Sequence, residues 1–152
     1  MDLILWRHAE AEDGWDDLAR ALTAHGRKQA AKMAAWLLSN IPKQTRIIAS
    51  PAVRTQQTVQ ALDLPYETVS EIAPGARVSD VLHAAGWSMQ GAEHEGTVLV
   101  VGHQPTLGMT AGSLLCGQTD GFAMKKCAIV WVRQRDERRG MVLLASLTPE
   151  ML

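Results

Sequence analysis

Apolar residues occur in short blocks along this chain, and their spacing predicts alternating strands and helices. Leu3-Ile4-Leu5-Trp6 is a continuous apolar run of the kind found in buried strands, and it stops at Arg7-His8. Residues 11–21 are polar and acidic and read as a loop over the carboxyl end of that strand. Thr23 then caps a helix in which Ala30, Met33, Ala34, Leu37, Leu38 and Ile41 recur at helical spacing. Lys28 and Lys32 fall on its other face, and Pro42 stops it. Residues 46–49 predict a second strand. Ser50-Pro51 reads as a cap followed by proline at the first helical position, opening a helix that runs to about Leu62. Residues 66–69 predict an edge strand and 70–75 an irregular link. Residues 77–87 predict a helix burying Val78, Val81, Leu82 and Ala85, with a loop at 91–96. Thr97-Val98-Leu99-Val100-Val101 is the clearest central strand, uncharged and rich in β-branched residues, and it ends at Gly102-His103. Pro105 to Leu115 predicts a helix ended by Gly117. Two apolar segments, 128–132 and 141–147, flank a charged turn and predict a hairpin. The expected fold is therefore α/β: a three-layer sandwich with a mostly parallel central sheet, helices on both faces and an antiparallel edge from the C-terminal hairpin. No repeat or linker divides it, so one domain over residues 1–152 is expected.

Composition narrows the choice of partner. With 47% apolar and 20% charged residues the chain resembles ordinary globular proteins, and 152 residues are enough for an independent core. A net charge of -1 supplies no basic field for nucleic acid. No stretch approaches the roughly 18–20 apolar residues of a membrane span, and the first apolar run is too short for a leader. A cytoplasmic monomer with no nucleic-acid or membrane partner is expected. Cys116 and Cys127 read as two buried thiols, and no Cys/His spacing resembles a zinc site, so neither metal nor cofactor is expected.

The candidate chemistry gathers at strand ends. In an open α/β sheet, ligands bind at the carboxyl ends of the strands. His8 ends one predicted strand directly after Arg7, His103 ends another, and Arg54 falls in the first turn of the helix after a third. Two arginines, two imidazoles and two helix N-termini at one rim suit a phosphate better than any other common ligand. Each residue alone has a plainer role. A histidine after a strand is usually a hydrogen-bonded structural residue, and an arginine in a first turn can pair with a surface acid. Their coincidence at one end of one sheet favours chemistry.

Four blocks of sequence carry a resemblance. Leu5-Trp6-Arg7-His8-Ala9, Leu22-Thr23-Ala24-His25-Gly26, Ser50-Pro51-Ala52-Val53-Arg54-Thr55-Gln56-Gln57-Thr58 and Val101-Gly102-His103-Gln104-Pro105 resemble the histidine phosphatase (phosphoglycerate-mutase-like) superfamily. The short chain is most like the SixA-type protein phosphohistidine phosphatases. The resemblance implies that His8 is a nucleophile carrying a transient phosphoryl group. It also implies that Arg7 and Arg54 bind the phosphoryl oxygens and that His103 hydrogen-bonds them. Arg20 and Gln104 are further candidate substrate contacts. Positioning and charge stabilisation suffice for such a transfer, and these residues supply both without a metal.

Many members of the superfamily add a carboxylate that protonates an ester's leaving oxygen. Here Glu71 is the nearest candidate, in a short link that also leaves little lid over the pocket. Phosphohistidine has a labile P–N bond and needs no strong acid. The expected activity is thus removal of phosphate from phosphohistidine on a protein of the phosphorelay type. The alternatives are a small-molecule phosphomonoesterase using Glu71 as acid on a phosphate ester, or a non-catalytic phosphoprotein-binding module. Trp15 lies within the acidic loop as a possible substrate contact, and the other tryptophans read as core or loop anchors. The charged run 133–139 reads as a solvated tip. His25, His83 and His94 read as surface or capping residues.

Overall fold

The strands are β1 (Asp2–Arg7), β2 (Arg46–Ala49), β3 (Glu67–Thr68), β4 (Trp87–Ser88), β5 (Gly91–Ala92), β6 (Thr97–Gly102), β7 (Ile129–Gln134) and β8 (Met141–Leu147). The helices are α1 (Ala24–Asn40), α2 (Val53–Gln60), α3 (Val78–Ala84) and α4 (Thr106–Cys116). A computed structural model describes residues 1–88, 91–92, 95–118, 120–135 and 140–152; His94 and the 136–139 part of the charged turn lie outside the described residues.

The main sheet has the order β3-β2-β6-β1-β7-β8, in which the first four strands are parallel and the closing hairpin is antiparallel. Alternate residues of β1 serve two apolar layers. Ile4 and Trp6 pack with Met33, Ala34 and Leu37 of α1 and Val59 of α2. Leu3 and Leu5 pack with Val81 of α3 and Leu107 and Ala111 of α4. All four β1 side chains are fully buried. The fold is the expected three-layer α/β sandwich. Among the described residues no helix is long and apolar enough to cross a membrane.

Several local expectations need correction. Leu38 is 48% exposed: it lies one residue, about 100°, round the helix from Leu37, outside the stripe that faces the sheet. Ser50 does not cap α2, which starts at Val53 after an extended Ala52 and ends at Gln60 rather than near Leu62. Ser50 instead accepts from the Ala52 N–H through Oγ, and its carbonyl accepts from Thr55 and Gln56. The helix expected over 77–87 stops at Ala84, and Gly86 takes a positive φ of 74°. Trp87 then enters a small antiparallel ribbon with β5, inside the segment read as a loop. Cys127 is buried, but Cys116, at the end of α4, is exposed.

Close backbone approaches lock the loops onto this frame. α4 lies so near the 120–124 segment that a Cβ on Gly108 would sit 1.8 Å from the Phe122 carbonyl oxygen. α1 approaches the chain after His8 equally tightly, with a Gly26 Cβ 2.0 Å from the Glu10 carbonyl oxygen. Backbone on backbone cannot yield by a rotamer change. Gly108→Ala is therefore expected to lower unfolding free energy in urea by roughly 1–3 kcal/mol. An unchanged midpoint would contradict this packing.

Candidate active site

Register places the first two residues of the site. In the parallel pair β1–β6, Arg7 lies opposite Gly102, so the next residue on each strand is a histidine. The His8 N–H donates to the Gly102 carbonyl at 3.1 Å, and the two imidazole centroids are 5.4 Å apart with their planes at 54°. Both side chains are buried.

His8 Nδ1 lies 2.7 Å from the Ala9 carbonyl oxygen. A carbonyl can only accept, so Nδ1 carries the proton and Nε2 keeps its lone pair. Burial pushes the His8 pKa down to about 4; the bond to Ala9 opposes this, and the charges of Arg54, Arg7 and Arg20 add to it. His103 is pushed down to about 3, by burial first and then by His8 and Arg54, with Asp17 opposing. The ring's Nε2 is 2.7 Å from Ser50 Oγ. A serine hydroxyl donating to Nε2 leaves the ring proton on Nδ1, and His103 Nδ1 is buried without a partner.

Three arginines surround this pair. Arg7 Nη1 donates to the Met124 carbonyl at 2.6 Å. Arg54, on α2 and only 4% exposed, donates from Nη1 to the Asp17 carbonyl and from Nη2 to Asp17 Oδ2 at 3.0 Å. Arg20 Nη1 is 3.6 Å from Asp17 Oδ1. Among the described residues, the buried side-chain N and O atoms without a hydrogen-bond partner are Arg7 Nε, Arg20 Nε, Arg54 Nε and His103 Nδ1. Unpaired buried donors are costly and rare, and four nitrogens in one cluster suit an anion that accepts from several at once.

The loop between His8 and α1 is bolted from both sides. Thr58 Oγ1 accepts from the Ala9 N–H and donates to the Arg54 carbonyl, while Gln29 and Gln57 accept from the N–H groups of Glu10 and Leu22. Thr58 and Gln57 close the Thr-Gln-Gln-Thr block, so part of that motif is structural.

The remaining candidates lie further out. The Gln104 amide donates to the Phe122 carbonyl and accepts from the Gly108 N–H, so its oxygen and one N–H serve the backbone. Glu71 Oε2 is 3.2 Å from His83 Nδ1, and both side chains are exposed. Ile72, Ala73, Ala76 and Thr106 flank His103 instead. Trp15 is fully exposed on the acidic loop. Asp17 and Ser50 also belong to the cluster, one on Arg54 and the other on His103, and the sequence marks neither as a site residue. The spacing of Asp17 three residues before Arg20 was the available signal for one; Ser50 read as a cap. Among the described residues no group of three or more His, Cys, Asp or Glu is placed to hold a metal ion.

The fold and cluster define a class: an α/β domain with a neutral imidazole beside buried, cationic side chains at the sheet's carboxyl edge. Residues 3–75 match the family model of the histidine phosphatase superfamily, branch 1. Phosphohistidine phosphatase SixA of Escherichia coli is 31% identical over 128 residues, covering 78% of this chain and 77% of that protein. The structure of the protein histidine phosphatase SixA complexed with tungstate superposes with a TM-score of 0.80 at 26% identity, covering 99% of both chains. A phosphoserine phosphatase from Entamoeba histolytica, at 17% identity and a TM-score of 0.70, covers 99% of this chain and 98% of that one and shares the fold alone. The chain belongs to the histidine phosphatase superfamily. Within it the chain is similar to SixA, and this kinship supports a phosphatase activity.

The depressed imidazoles carry a pH signature. Both folded values lie below the ordinary 6.5, so below that pH the unfolded chain binds protons that the folded chain refuses. Their contribution to stability is complete above about pH 6.5 and is lost as pH falls toward 4 for His8 and 3 for His103. Urea unfolding is expected to show stability declining from about pH 7 to about pH 5, with a shallower decline in a His8→Asn/His103→Asn double variant. Equal slopes in the two proteins would contradict the neutral, buried pair.

Proposed function

We propose that this protein, as a single domain over residues 1–152, removes the phosphoryl group from phosphohistidine on a protein of the phosphorelay type. The observation that carries the proposal is the meeting of the His8 lone pair with four unpartnered buried nitrogens on Arg7, Arg54, Arg20 and His103. The likeness to SixA supports the choice of phosphohistidine.

His8 Nε2 attacks phosphorus as the substrate's P–N bond breaks, and the departing imidazole nitrogen takes its proton from solvent. Arg7 and Arg54 hold the equatorial oxygens while charge spreads over them, and His103 donates from Nδ1. Arg20, and Gln104 through its second amide N–H, are outer contacts. Water then attacks phospho-His8, releasing inorganic phosphate and restoring the neutral ring. Glu71 takes no part: it is tied to His83, and a protonated imidazole leaves without an acid's help.

Incubation with a radiolabelled phosphohistidine protein, followed by rapid denaturation, is expected to trap label on the wild type and none on His8→Ala. Arg54→Ala is expected to slow turnover by roughly 10²–10³. Label retained by His8→Ala, or absent from the wild type with phosphohistidine and sugar-phosphate donors alike, would overturn the proposal. Glu71→Gln is expected to hydrolyse phosphohistidine at the wild-type rate. Faster wild-type turnover of sugar phosphates than of phosphohistidine, lost in Glu71→Gln, would establish the ester chemistry instead.

A further inference from the structure

Asp17 is a charged side chain at the pocket that this reaction leaves unused. It lies on the 3₁₀ turn Asp17–Ala19, which has no buried residue, yet it reaches a nearly buried arginine. Arg54 donates both of its terminal nitrogens to it, one to the main-chain oxygen and one to Oδ2. Oδ1 faces Arg20.

A guanidinium has two edges that can grip an oxyanion: the pair of terminal nitrogens, and Nε with the terminal nitrogen beside it. Asp17 takes the first edge of Arg54. The second keeps a buried Nε without a partner. Arg7 repeats the arrangement, with a terminal nitrogen held by the Met124 carbonyl and its own Nε buried and unpartnered. Oxygens of two unrelated residues, Asp17 and Met124, thus hold two arginines by their terminal nitrogens and leave Nε of each without a partner.

We propose that Asp17 is a positioning residue, holding Arg54 by its terminal nitrogens so that the Nε edge receives the phosphoryl oxygens. This rests on the reading that Arg54 grips the phosphoryl group. A carboxylate beside an anion site repels the incoming charge. It is tolerated here because the side chain it orients is long, and a guanidinium already aimed gives up less freedom when it binds. The opposite role, a counter-ion seated where the phosphate must go, predicts the reverse effect on anion affinity.

Calorimetric titration of the full chain with inorganic phosphate separates the two. Asp17→Ala is expected to weaken phosphate binding by about tenfold to a hundredfold, with a matching rise in KM for phosphohistidine protein. Asp17→Asn, which keeps an oxygen acceptor, is expected to fall between wild type and Asp17→Ala. The titrations are run well below each variant's thermal midpoint, because removing a partner of the nearly buried Arg54 guanidinium also lowers stability. Affinity equal to wild type in Asp17→Ala, or tighter, would overturn the proposal while leaving the phosphatase assignment standing. No phosphate binding by the wild type, or binding unchanged in Arg54→Ala, would instead remove the reading on which it rests.

Discussion

Backbone hydrogen bonds between β1 and β6 hold Arg7 opposite Gly102 and so bring His8 beside His103. The packing on either side of the sheet enforces that register. A slip of one residue would turn every β1 side chain to the other face. Trp6 would be driven into space shaped for Leu5, and Leu5 would leave a gap where Trp6 had been. Overpacking alone costs roughly 1–3 kcal/mol per site, and each cavity adds more, against a total stability of about 5–15 kcal/mol. The apolar core therefore fixes the imidazole pair through the register of the strands that carry it. β2 extends the same logic: Ala49 lies opposite Val101, and the Ser50 N–H donates to the Val101 carbonyl, which brings Ser50 to His103.

Electrostatics explains why this end of the sheet is poised for an anion. Burial is the main reason that the two rings have low proton affinity, and the guanidinium charges of Arg54 and Arg7 add to it at both. A neutral ring is the form that can serve as a nucleophile. Burial pushes even the Arg7 pKa down, a sign of how much hydration that side chain has given up. Protein oxygens compensate in part, the Met124 carbonyl on Arg7 and Asp17 on Arg54. What they leave unpaired is a set of buried N–H groups, and a tetrahedral oxyanion can satisfy several together.

Much of this was legible in the chain because strand ends are. Apolar runs that stop at Arg7-His8 and Gly102-His103 mark both the sheet and its functional edge, and Thr23 does cap α1 through its hydroxyl. Contacts that depend on the third dimension were hidden. Ser50-Pro51 looks like a helix start, yet the hydroxyl serves a histidine 53 residues away. Asp17 looks like one of several loop carboxylates, yet it is bound to Arg54, 37 residues on. Met124 acts through its carbonyl, which any residue type would present. Cys116 and Leu38 show the limit of composition, since neither apolar character nor helical spacing tells where a neighbouring element stops.

A crystal structure with tungstate, a tetrahedral oxyanion, bears most directly on the central claim that one anion unites these residues. The account predicts the metal centre in line with His8 Nε2, with oxygens accepting from the Nε edges of Arg7 and Arg54 and from His103 Nδ1. Tungstate bound elsewhere, or held through the terminal nitrogens of Arg54 with Asp17 swung aside and His103 turned away, would contradict it.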